Sequence, residues 1–139
     1  MPILSQDEAK AILQKVLSFS KADECEVNIG SSDGGNIRYA RNAVSTSGGV
    51  TQSQLVVTSA YGKKSGIATI NEFDDASLEK VVRRSEELAQ LAPENPEYVS
   101  ILGPQVYVAP SKTFVEATAA IDPKFRPDAV AQSLKISKE

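Results

Sequence analysis

"TQSQLVVTSAYGKKSGIATIN" runs from Thr51 to Asn71. "TQSQLVVTSAY" reads as a strand, "GKKSG" as a short turn and "IATIN" as a second strand. Strands joined by so short a turn must run antiparallel, because a parallel return needs a long crossover. Upstream, "NIRYAR" (36–41) alternates, with Ile37, Tyr39 and Arg41 on one side, and "TSGG" breaks the pattern. Further upstream, "DECEVNIG" (23–30) alternates as well. Cys25, Val27 and Ile29 point one way and Glu24, Glu26 and Asn28 the other, and "SSDGG" reads as a turn. The expectation is therefore four consecutive strands.

Helices flank them. Ser5 and Glu8 form an S-x-x-E capping box, followed by Ala9, Ile12, Leu13, Val16 and Leu17 at helical spacing up to about Ser20. "DDASLEKVVRRSEELAQLAP" (74–93) is the clearest helix. Asp74 or Asp75 caps it, Leu78, Val81, Val82, Ser85, Leu88 and Ala89 form one face, and Pro93 stops it. Glu79 with Arg83, and Arg83 with Glu87, are expected as i,i+4 pairs. The fold class that follows is α+β: two layers, a mostly antiparallel four-stranded sheet with the helices near 5–19 and 75–91 on one face. Leu13, Val16, Val27, Ile29, Val81, Val82 and Leu88 are expected in the core.

Pro93, Pro96, Pro104 and Pro110 make the stretch 93–110 an extended, surface-hugging connection. A last helix is expected from about Pro123, with only Phe125, Val130 and Leu134 as large apolar residues. So thin a stripe at a bare chain end implies further structure for it to pack against.

The chain has 139 residues, a net charge of −3 and no His. That charge gives no general attraction to nucleic acid or anionic lipid. No apolar run reaches the ~20 residues a membrane helix needs. The N-terminus carries no signal-peptide pattern, so a cytoplasmic location is the default. Without His, no Ser–His or Cys–His nucleophile can form. Cys25 is the only Cys, so neither an internal disulfide nor a Cys-based zinc site is available, and on the apolar side of its strand it reads as a core residue. The acids Asp23, Glu24, Glu26, Glu72, Asp74 and Asp75 stand where a strand begins or a helix starts and lack EF-hand spacing. "SSDGGN" and "TSGGVT" match no phosphate-loop pattern. Lys80, Arg83 and Arg84 are interrupted by Glu79, Glu86 and Glu87, as on a solvated helix face. No catalytic, metal-binding or cofactor-binding residue emerges. Arg38, Tyr39, Arg41 and Asn42 remain, on a strand that is either plainly solvated or a surface for an extended peptide or partner.

Taken together, these segments resemble the N-terminal domain of the TldD/PmbA family, also known as peptidase family U62 and formerly as "modulator of DNA gyrase" proteins. "KADECEV" (21–27), inside "AKAILQKVLSFSKADECEV", is similar to the family's "GADEAEV". "NIRYARNAVSTS" is similar to its arginine-bearing strand and turn, and "LVVTSAYGKKSGIATIN" to its G-x-x-G-x-A-x-T hairpin. "FDDASLEKVVRRSEELAQLAPENPEY" is similar to its helix and A-P-x-x-P exit. Gln54 and Thr58 stand where the family often has Gly and Arg, so no arginine role carries over there. The resemblance covers about residues 3–107, and residues 108–139 look like a linker and the start of an interdomain helix leading to a missing C-terminal domain.

The resemblance implies cytoplasmic metallopeptidases and their partner subunits, several times longer than this chain, that trim or mature peptides such as microcin precursors and an antitoxin. TldD-type members bind a metal, zinc, through an H-E-x-x-x-H motif in the C-terminal part, and PmbA-type members lack it and pair with them. None of those ligands maps onto this chain, which is expected to be inactive alone. The partners implied are the C-terminal domain, a TldD/PmbA subunit or a second copy, and an unfolded peptide. The competing reading is an independent binding or assembly module with no protease link.

Overall fold

The computed structural model describes residues 4–103, 105–108 and 115–137, and the prolines at 104 and 110 lie outside the described residues. The chain divides into two compact units, Met1–Ser32 with Thr51–Pro104 and Asp33–Val50 with Gln105–Glu139. The elements in order are α1 (Gln6–Phe19), β1 (Glu24–Ala40), β2 (Ala43–Tyr61), β3 (Lys64–Ile70), α2 (Asp75–Leu91), α3 (Glu116–Ala119) and α4 (Phe125–Ser137).

The sheet has three strands in the order β1-β2-β3, and this corrects the expected four. "SSDGG" and "TSGG" do not turn. They lie within β1 and β2, two strands of 17 and 19 residues. The reversal comes at Arg41 and Asn42, whose φ values of 53° and 60° are those of a two-residue hairpin turn. That turn sets the two glycine-bearing stretches against each other, with the Gly34 carbonyl oxygen 3.7 Å from where a Cβ of Gly49 would sit. Cross-strand pairing holds these glycines extended, and among the described glycines only Gly62 has a positive φ. The second reversal is also tighter than expected, because Tyr61 already pairs with Lys64 and the register continues to Leu55 opposite Ile70.

In the first unit the core lies between β1–β3 and the two long helices. Val16 from α1, Leu55 and Val57 from β2, and Leu78, Val81 and Val82 from α2 are buried together, with Cys25, Val27 and Ile29 packed against them. Leu13 and Leu88, expected in the core, are only half-buried, as are Val27 and Ile29. The capping box at Ser5 and Glu8 is present, and Asp74 caps α2 by accepting from the Ser77 amide at 3.1 Å. On α2 Arg83 pairs with Glu79 at 3.8 Å, as expected, but its closer partner is Glu86. Glu87 pairs with Arg84 at 2.7 Å, so the Arg83–Glu87 pair is not made.

The helix α2 meets β3 with almost no gap. A Cβ on Gly66 would collide with the backbone of Ser85, Leu88 and Ala89. Beside it, the hydroxyls of Ser59 and Ser85 share a buried hydrogen bond of 2.7 Å. In the second unit Val130 of α4 is buried, while Phe125, expected as an anchor, is exposed. The Arg126 guanidinium reaches over Gly35.

Two substitutions test this packing. Val82→Asp buries an unpaired charge and is expected to unfold the first unit, read as loss of a cooperative thermal transition. Gly66→Ala forces α2 off the sheet and is expected to cost ~1–3 kcal/mol in urea unfolding. A Gly66→Ala variant as stable as the parent would rule out the close approach.

Candidate interaction surface

The four residues singled out from the sequence meet at the tip of the β1–β2 ribbon. Arg38 and Tyr39 close β1, and Arg41 and Asn42 are the turn. The alternation expected to put Arg41 beside Ile37 and Tyr39 ends at Ala40, so Arg41 projects from the turn instead. The Ser45 hydroxyl donates to the Arg38 carbonyl at 3.1 Å and ties the two strands near the tip. The two-residue turn puts Val44 across from Tyr39, a cross-strand aromatic–aliphatic pair. Both side chains stay open to solvent, 50% and 45% exposed.

Arg41 occupies a position that L-residues other than Asn and Asp seldom take. A left-handed backbone conformation on a side chain of this size costs roughly 1–2 kcal/mol relative to glycine. Asn42 is better suited to it. Among the described residues neither Arg38 nor Arg41 has a carboxylate within ion-pairing distance, whereas Lys15, Arg83 and Arg84 all do. The sequence accounts for this, since Gly34 through Asn71 contain no Asp or Glu.

A second surface was not legible as such. After α2 the chain runs back as a strap without regular structure. The Asn95 amide donates to the Lys63 carbonyl at 2.9 Å. The Tyr98 hydroxyl and the Ile101 amide both donate to the Glu24 carboxylate, at 2.6 and 3.2 Å. These two bonds hold the Glu24 carboxyl below the usual carboxylate range, the tyrosine bond foremost. The same bond, with the negative charge it faces, pushes the Tyr98 phenol up to about 12. Pinned in this way, the strap leaves Val99 and Leu102 81% and 78% exposed. The clue in the sequence was a tyrosine just after Pro96, but its partner lies 74 residues away.

The other acids have structural partners. Asp23 accepts from the Gly62 amide at 3.0 Å, Glu72 accepts from the Ser77 hydroxyl at 3.1 Å, and Asp75 pairs with Lys15. No three Cys, Asp or Glu side chains among the described residues converge in a way that could hold a metal, and the sequence has no His. The described side chains therefore do not form a zinc donor set. Cys25 is half-buried against the core, as its strand position suggested.

Residues 25–89 match the family model described as PmbA/TldA metallopeptidase domain 1. Over this stretch the chain is similar to the first domain of TldD/PmbA proteins. Its fold is shared with the crystal structure of TldE from Thermococcus kodakarensis, at a TM-score of 0.74 and 15% sequence identity. That likeness covers 94% of this chain and 29% of the TldE chain, so the sequence spans under a third of its structural relative. No curated protein matches the chain by sequence. No described helix is long and apolar enough to cross a membrane.

The strap generates a pH prediction with two arms. Tyr98 is raised in the fold, so its contribution is complete below the ordinary phenol value of ~10 and is lost as pH rises toward about 12. Glu24 is lowered, so its contribution is present above the ordinary carboxylate value of ~4.3 and is lost as pH falls through its lower folded value. Urea midpoints measured across pH should fall at both ends. Tyr98→Phe should lower the midpoint at neutral pH and flatten the alkaline arm. An alkaline arm unchanged by Tyr98→Phe would show that the phenol does not hold the strap.

Proposed function

We propose that this chain is the non-catalytic N-terminal module of a TldD/PmbA-type metallopeptidase, a cytoplasmic system that processes peptides. The observation that carries this reading is the domain 1 match over residues 25–89 in a chain without a single His. Residues 1–107 would be that module and 108–139 the passage toward a C-terminal part. Bond cleavage, and any zinc, belong to the rest of such a protein. This chain supplies surface.

Two parts of the surface suit that task. Val99 and Leu102 on the strap are apolar groups held out to solvent by a polar anchor, which fits docking against a C-terminal domain, a TldD/PmbA subunit or a second copy. The ribbon tip, with Arg38, Tyr39, Arg41 and Asn42, fits contact with a partner or an unfolded peptide at the margin of the peptide path. Neither surface suits DNA. The chain is net negative, and the tip has two cations and one aromatic where a nucleic-acid groove has many.

The test is a direct assay. The purified chain with added zinc should retain no stoichiometric metal and should leave an unfolded casein substrate intact. The same chain should form a complex with the histidine-bearing subunit or C-terminal part encoded with it, and Val99→Asp with Leu102→Asp should weaken that complex at least ~tenfold. Peptide cleavage by the isolated chain would overturn the reading.

A further inference from the structure

We propose that the ribbon tip is a receptor for an acidic polypeptide segment, an inference that rests on reading the tip as a partner surface. Three observations converge on that partner. The first is charge. Arg38 and Arg41 stand within a stretch from Gly34 to Asn71 that has no Asp or Glu, and neither pairs with a carboxylate among the described residues. The chain as a whole is negative, so this is a local cationic point on an acidic molecule. Carboxylates are drawn to it, and cationic segments are drawn elsewhere.

The second is backbone. A two-residue turn with both residues at positive φ is best served by Asn-Gly or Gly-Gly, and here an arginine stands first. Its strain gains nothing for the hairpin. It does place a guanidinium at the extreme end of the ribbon, where a planar fork can meet a carboxylate with two parallel hydrogen bonds.

The third is the neighbouring surface. Tyr39 and Val44, half-exposed and paired across the strands, offer an apolar patch beside the turn that carries Arg41. An acidic segment with apolar residues between its carboxylates can use both features. A polyphosphate uses only the charge.

The experiment is an NMR titration of the isotope-labelled chain with three probes. These are a synthetic peptide alternating Glu and Val, its counterpart alternating Lys and Val, and oligothymidylate. The acidic peptide is expected to shift the amides of residues 36–45, and high salt should weaken binding about tenfold. Arg38→Ala and Arg41→Gly should each weaken it about tenfold. Arg41→Gly should leave the melting temperature unchanged or raised, because glycine relieves the turn, and this separates lost recognition from lost folding. Shifts at the same amides with the lysine peptide would keep the tip as a partner surface but overturn its preference for acid. Stronger shifts with oligothymidylate would make the ligand a polyphosphate and overturn the proposal. No shift at the tip with any probe would overturn both the acidic preference and the reading of the tip as a partner surface.

Discussion

The contact between α2 and β3 at Gly66 is the constraint on which the first unit depends. Helix backbone rests on strand backbone, with no room for even a methyl group between them. Small residues make this possible. Ser59 and Ser85 share a hydrogen bond, and the Ser85 hydroxyl also lies 2.8 Å from the Val82 carbonyl of its own helix. A buried polar pair so satisfied carries little penalty and fixes the height of the helix above the sheet. Larger side chains on either side, Leu55, Val57, Leu78 and Val82, then fill the space that height leaves.

From this seat α2 secures the rest of the unit. Its Glu86, almost fully buried, accepts from the Lys21 amide at 2.5 Å, and its Arg83 donates to the Phe19 carbonyl at 2.6 Å. The end of α1 is thus held by charged side chains of α2, and Arg83 and Glu86 neutralise each other where they meet. The strap that follows α2 is anchored by Glu24 at the start of β1. Each connection leads back to a helix that can sit in only one place.

The candidate contact groups on the strap and at the ribbon tip are few. The strap holds apolar side chains out with a polar anchor, and the ribbon holds cations out with a strained turn. Exposed groups of this kind fit the proposed role of presenting contacts to a partner.

The sequence by itself determined the α+β class, the two long helices with their caps, the hairpin at residues 55–70 and the family likeness of its ordered segments. These follow from local rules: side-chain periodicity, capping chemistry and the antiparallel sense that a short turn imposes. It also singled out Arg38, Tyr39, Arg41 and Asn42, because charged and aromatic residues on an otherwise small, polar strand are visible without a structure. The number of strands was not legible. Gly34, Gly35, Gly48 and Gly49 have turn composition, and glycine accepts extended and turning backbone alike, so the choice fell to cross-strand pairing set by Arg41 and Asn42. The partner of Tyr98, the burial of Glu86 and the need for glycine at 66 were likewise decided only by the tertiary structure. Each depends on atoms brought together from distant parts of the chain, and no local pattern in the sequence encodes such a meeting.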